Sequence, residues 1–159
     1  IPGLVYRIVG DGHNRAALEA QAVELGIADC CHFLGAMTSD AIRDEYARCD
    51  VFVLASVTAP DGDMEGQGLV IQEAQASGCP VVTTLHNGIP DGVLDGVSGI
   101  LVPEGDSDAL TAALRSLARE RARLPEMGRA GSDFVRSTYD TATVAQRQEE
   151  WYRELLAAI

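Results

Sequence analysis

The run Glu65-Gly66-Gln67-Gly68-Leu69-Val70-Ile71-Gln72-Glu73 brings two kinds of chemistry together. Gly66 and Gly68 permit a tight turn and a close approach of backbone to a ligand. Leu69 to Ser77 reads as a helix, and the first N–H groups of a helix are unpaired and carry positive partial charge, which suits an anion such as a diphosphate. Glu65 precedes that helix and Glu73 lies more than one turn into it, so the two carboxylates sit apart, each able to accept from a pair of neighbouring hydroxyls. A diphosphate flanked by two hydroxylated rings is the outline of a nucleotide sugar, with one glutamate for a ribose and the other for a hexose. Glycine turns ahead of helices are common, however, and most glutamates are simply solvated. The position tips the balance: the apolar run Val51-Phe52-Val53-Leu54 comes just before, placing the turn at the carboxyl end of a parallel strand, where ligands of open α/β sheets bind.

Short apolar runs alternate with amphipathic segments along the chain, the pattern of strand-helix-strand units with parallel strands. Five strands are predicted, at Leu4 to Val9, Cys31 to Leu34, Val51 to Leu54, Pro80 to Thr84 and Gly99 to Val102, with β-branched content that suits strands covered on both faces. Helices are predicted at Asn14 to Leu25, Ser39 to Arg48 and Leu69 to Ser77, with Asn14 and Ser39 as caps and Gly26 and Gly78 as stops. Beyond Val102 the pattern is helical: one segment from Asp106 or Ser107 to about Arg123, one from Pro125, and a last one from about Thr141 to Ala158. That last helix spaces Val144, Gln148, Trp151, Tyr152, Leu155, Leu156 and Ile159 along one stripe. Core packing is the expectation for the stripe, with cover for a second domain as the alternative. The fold class is therefore α/β, a Rossmann-like three-layer parallel sheet in residues 1–103 followed by helices over 106–159, in one domain.

A chain of 159 residues, 47% hydrophobic and 23% charged, can bury one sizeable core. Its net charge of −12 argues against nucleic acid or anionic lipid as a partner of this surface. No run approaches the roughly 20 apolar residues that span a bilayer, and no secretory leader is visible, so a cytoplasmic location is expected. The chain starts at Ile1-Pro2-Gly3 without a methionine and reads as part of something longer. Cys30, Cys31, Cys49 and Cys79 lack metal-ligand spacing and are expected to be reduced and structural, with Cys30 and Cys31 facing opposite sides of a strand.

The strings Val9-Gly10-Asp11-Gly12, Phe33-Leu34-Gly35, Asp50 to Leu54, Glu65-Gly66-Gln67-Gly68 to Glu73-Ala74, Ser77-Gly78-Cys79-Pro80-Val81-Val82, Gly88-Ile89-Pro90 and Gly99 to Pro103 form an ordered series. From Val9 to Tyr152 it resembles the carboxyl-terminal, nucleotide-sugar-binding half of a retaining glycosyltransferase of family 4 with the two-Rossmann-domain GT-B architecture. The resemblance implies that Glu73 accepts from the ribose hydroxyls and that Glu65 holds the transferred hexose as the catalytic-site residue. It implies that backbone N–H groups from Gln67, Gly68, Leu69 and Val70 contact sugar and diphosphate, with Gly66 part of the same donor-binding turn, and that Gly35, Ala36 and Met37 flank the base. A helix start stabilises negative charge on a departing diphosphate, so neither a metal nor a cofactor is implied. Retention of anomeric configuration, polysaccharide biosynthesis and an amino-terminal acceptor domain follow from the resemblance alone.

The chain departs from that family in two ways. Gln67 stands where an aromatic residue is frequent. The family's first strand and helix, with an arginine and a lysine for the diphosphate, are missing, so weak nucleotide binding and no independent activity are expected. Without that strand, the family's sheet order 3-2-1-4-5-6 becomes 2-1-3-4-5 if Leu4 to Val9 pairs directly with Val51 to Leu54; alternatively another chain lends a strand.

Other motifs are read as structural. Asp61-Gly62-Asp63 fits a turn better than a metal pair, and a calcium loop fails because Gln72 takes the place of its bidentate acid. In Gly10-Asp11-Gly12-His13-Asn14-Arg15, Arg15 replaces the third glycine of a dinucleotide fingerprint. His13, His32 and His86 are scattered, His86 being the exception that lies near a strand's carboxyl end. A flavodoxin-like phosphate-binding module without transferase activity remains the rival reading.

Overall fold

The computed structural model describes the chain from Ile1 to Ala158. Strands and helices follow in the order β1 (Tyr6–Val9), α1 (Arg15–Glu24), β2 (Cys31–Gly35), α2 (Ser39–Arg48), β3 (Phe52–Leu54), α3 (Leu69–Ala76), β4 (Val81–Thr84), β5 (Gly99–Val102), α4 (Ser107–Arg119), α5 (Leu124–Tyr139) and α6 (Thr141–Ala157). Their ladders are parallel, but they form two sheets, β1-β2 and β3-β4-β5. Of the two alternatives, direct pairing in a continuous order 2-1-3-4-5 is not found: no ladder joins β1 to β3 among the described residues. A parallel ladder forms only where backbone N–H and C=O groups come within hydrogen-bond reach, and among the described residues β1 finds them in β2. In keeping with the divided sheet, contacts gather into two compact units, Ile1–Glu45 and the chain from Tyr46 onward.

In the first unit, Gly26, at φ +67°, ends α1, and the Ile27 N–H closes back on the Ala22 carbonyl at 2.9 Å. Asn14 does not cap that helix as predicted: its own backbone is helical (φ −85°, ψ −3°), so its side chain makes no cap bond. Ser39 is likewise already helical, and the Thr38 hydroxyl accepts the Ala41 N–H instead. Cys30 ends a 3₁₀ turn rather than sharing a strand with Cys31, and its thiol donates to the Ile27 carbonyl. Arg15 does what the missing third glycine would not: Nη2 donates to the Phe33 carbonyl at 3.1 Å, tying α1 to β2. The expectation of strands covered on both faces fails for β1, where Tyr6 and Val9 are exposed, because two strands and so few helical residues supply too little apolar surface to enclose a layer.

In the second unit the expectation holds in full for β4, whereas β3 is half-buried throughout. Every residue of β4 is buried, and its alternating side chains feed two cores. Val81 joins Ile71, Ala74, Cys79, Ile89 and Val93 on one side; Val82 joins Val102, Ala113, Leu117, Leu124 and Met127 on the other. The contact with Cys49 first, and burial second, push the Cys79 thiol far up, so it stays a protonated packing group. Helix α5 lies so close to the end of α3 that a Cβ on Gly128 would stand 2.0 Å from the Gly78 carbonyl oxygen. Both polar atoms of buried Gln75 are engaged: Nε2 donates to the Gly92 carbonyl at 2.7 Å and Oε1 accepts from the Ser98 hydroxyl at 2.7 Å.

The apolar stripe on α6 is not core, which corrects the sequence expectation. None of its described residues is buried, with Trp151 61% and Leu156 74% exposed. The helix meets mainly α5, through Arg147 and the Ser137 and Thr138 carbonyls, leaving the stripe without a facing layer; Ile159 lies outside the described residues. No helix among the described residues is long and apolar enough to cross a membrane.

Candidate functional site

The glycine turn sits where the strand order predicts, after β3 and at the head of α3. Gly68 is left-handed, φ +65°, and its carbonyl accepts the Ile71 N–H at 2.8 Å. A Cβ there would stand 2.9 Å from Ile71 Cδ1, so only glycine gives both this angle and this space. The helix therefore starts abruptly, with the Leu69 and Val70 N–H groups ahead of its first internal acceptors. Leu69 and Val70 are exposed, as are Glu65 and Gly66, while Gln67 is half-buried.

Neighbouring segments hold the turn. The Gly88 N–H donates to the Gly66 carbonyl at 3.1 Å, and Asn87 Nδ2 donates to the Glu65 carbonyl at 2.9 Å. Asn87 is itself left-handed, φ 45°, the only described residue other than glycine with positive φ. Gln67 does not stand in for a stacking ring: its Nε2 donates to the Tyr139 hydroxyl at 3.0 Å, which donates in turn to the Asp91 carbonyl at 2.8 Å. Burial, then Asp91, raise the Tyr139 phenol, so it remains a donor.

The two glutamates emerge as the spacing implied, Glu65 on the turn and Glu73 on α3, both exposed. Glu65 Oε1 accepts from the Gly66 N–H at 3.1 Å. Glu73 Oε2 accepts from the Tyr46 hydroxyl at 3.3 Å. Burial and then this carboxylate push the Tyr46 phenol well up, so it stays protonated beside Glu73, and Phe52 fixes its ring edge-on at 5.6 Å. Asp61 and Asp63 fold their own loop, the Asp63 N–H donating to Asp61 Oδ1 at 3.2 Å. In the other unit, Gly35 is left-handed (φ +73°), Ala36 is exposed and Met37 half-buried.

Sequence reading missed Tyr46, Asn87, Tyr139 and Glu104. None has a signal in local spacing, since their partners lie 18 to 72 positions away. His86 was noticed only for its place. It is buried, and its Nδ1 pairs with Glu104 Oε2 at 2.9 Å.

The family described as glycosyl transferases group 1 matches residues 2–120. This chain belongs to the group 1 glycosyltransferases. It is 40% identical over 117 residues to the amylovoran biosynthesis glycosyltransferase AmsK of Erwinia amylovora, covering 74% of this chain and 29% of that protein. It is 34% identical over 151 residues to the GDP-mannose-dependent α-(1-6)-phosphatidylinositol monomannoside mannosyltransferase of Mycolicibacterium smegmatis, covering 94% of this chain and 40% of that one. The crystal structure of Anabaena HepE in complex with UDP-glucose superposes on all of this chain and 42% of its own, with a TM-score of 0.81 and 26% identity. The group 1 domain described here thus spans less than half the length of these relatives, and its fold is that of a GT-B glycosyltransferase half.

Proposed function

We propose that this chain is the donor-binding half of a glycosyltransferase that moves a hexose from a nucleoside diphosphate sugar to an acceptor, a glycan or glycolipid, with retention. The observation that carries the reading is the Glu65–Gly68 turn: a left-handed glycine opens α3 abruptly at a strand's carboxyl end, with exposed carboxylates before it and on it. Family membership and the UDP-glucose bound by HepE support it.

In this reading Glu73 accepts from the ribose diol and Glu65 holds the hexose next to the breaking bond. The N–H groups from Gln67 to Val70 receive the negative charge that grows on the departing diphosphate, with no metal ion in that role. Gly35, Ala36 and Met37 flank the base. The acceptor is bound by an amino-terminal domain, so this chain alone binds donor without turnover. The reaction takes place in the cytoplasm, where the four free thiols stay reduced. Calorimetric titration with GDP-mannose, UDP-glucose and their 2′,3′-dideoxy forms tests the assignment. Saturable binding that depends on the ribose hydroxyls supports it; indifference to those hydroxyls sinks it.

A further inference from the structure

We propose that His86 and Glu104 form a clamp that sets the shape of the Glu65–Gly68 turn, with His86 acting as a positioning residue for donor binding. The donor role rests on the function proposed above, whereas the clamp stands on geometry alone. His86 follows β4 and Glu104 follows β5. The His86 side chain is 2% exposed, and its Nδ1 lies 2.9 Å from Glu104 Oε2. An ionised carboxylate only accepts, so Nδ1 carries the proton and donates. The other oxygen, Glu104 Oε1, accepts the Thr58 N–H from the loop after β3. One carboxylate therefore joins the carboxyl ends of three adjacent strands.

The clamp reaches the turn through the two residues after His86. The His86 N–H closes a tight turn onto the Thr84 carbonyl at 2.9 Å, and the Ile89 N–H returns to the His86 carbonyl at 3.0 Å. Asn87 and Gly88 are thereby presented to the glycine turn, bonding the Glu65 and Gly66 carbonyls. A Cβ on Gly88 would stand 3.1 Å from the Gly66 oxygen, so the two segments are in close contact with little slack. The Glu104 carboxyl is held below its ordinary 4.5 by the His86 bond first and the Thr58 N–H second, as expected for a carboxylate that both partners engage. His86 Nε2 is buried without a partner among the described residues. Nothing but the Glu104 bond therefore fixes the ring by hydrogen bonding.

The test is amide hydrogen exchange in H86A, H86N and E104A, read at Gly88 and Thr58 with the Ala109 amide of α4 as internal reference. In H86A the Gly88 amide should exchange about tenfold faster and Thr58 should not change. In E104A both should speed up. In H86N, whose side-chain amide places a donor near the lost Nδ1, Gly88 should stay within about twofold of wild type. Donor titration follows the same order: H86A and E104A weaken GDP-mannose or UDP-glucose binding about tenfold, and H86N restores it. If wild type binds neither donor, the functional reading falls while Gly88 exchange still decides the clamp. Gly88 exchange unchanged in E104A and H86A, or equally fast in H86N and H86A, overturns the clamp. Fast Gly88 exchange with undiminished donor affinity overturns the positioning role.

Discussion

Replacing Glu73 separates the ribose from every other part of the donor. Oε2 already takes the Tyr46 hydroxyl at 3.3 Å, leaving Oε1 and the spare lone pairs to accept from a diol. Hydrogen bonds to a charged acceptor contribute about 1.5–3 kcal/mol, so Glu73→Ala should raise the donor Kd by roughly tenfold to a hundredfold. Glu73→Gln keeps one acceptor oxygen and should lose about half of that free energy, roughly three- to tenfold in Kd. Because Glu73 is exposed, the urea midpoint should move little, within about 0.5 kcal/mol of stability. Calorimetry with ribose and 2′,3′-dideoxy forms of one nucleotide sugar gives the decisive comparison. The Glu73→Ala penalty should appear with the first and vanish with the second. A loss equal for both ligands, or no loss at all, refutes the role of Glu73 and the two-carboxylate reading with it.

Gly128→Ala should destabilise the fold by about 1–3 kcal/mol in urea unfolding, since its Cβ would meet the Gly78 backbone at 2.0 Å and no side chain can rotate away. That outweighs the roughly 1 kcal/mol a helix gains when alanine replaces glycine, so a more stable variant would contradict the packing described. Glu104 has a lowered pKa, so its contribution is present above 4.5 and is lost as pH falls through the lower folded value. Glu104→Gln should therefore flatten the acid limb of the stability curve, and an unaltered limb would count against the His86 pairing. Leu156→Ser on α6 should change stability by less than about 0.5 kcal/mol; a larger loss would mean the stripe is covered in solution.

Much of the fold is legible in the sequence because its signals are local. Gly99–Val102 and Ser39–Arg48 fall where periodicity puts them, and Gly26 and Gly78 end their helices through left-handed angles that glycine alone adopts freely. Caps were less legible: at Asn14 and Ser39 the residue type suits the role, but the backbone angle that decides it depends on where the preceding loop enters. The α6 stripe has the spacing of a core helix, yet spacing states only which residues share a face.

The sequence by itself determined the glycine turn, the strand before it and the two glutamates, because a turn's angles and a helix's period are set by residues within a few positions. Only the tertiary structure decided what holds that turn and what meets its neighbouring side chains: Tyr46 on Glu73, Tyr139 on Gln67, and Asn87 and Gly88 on the turn's carbonyls. It also decided that β1 and β3 do not share a ladder. These are pairings between distant segments, and a hydrogen bond a few ångströms long leaves no period in the chain from which it could be read.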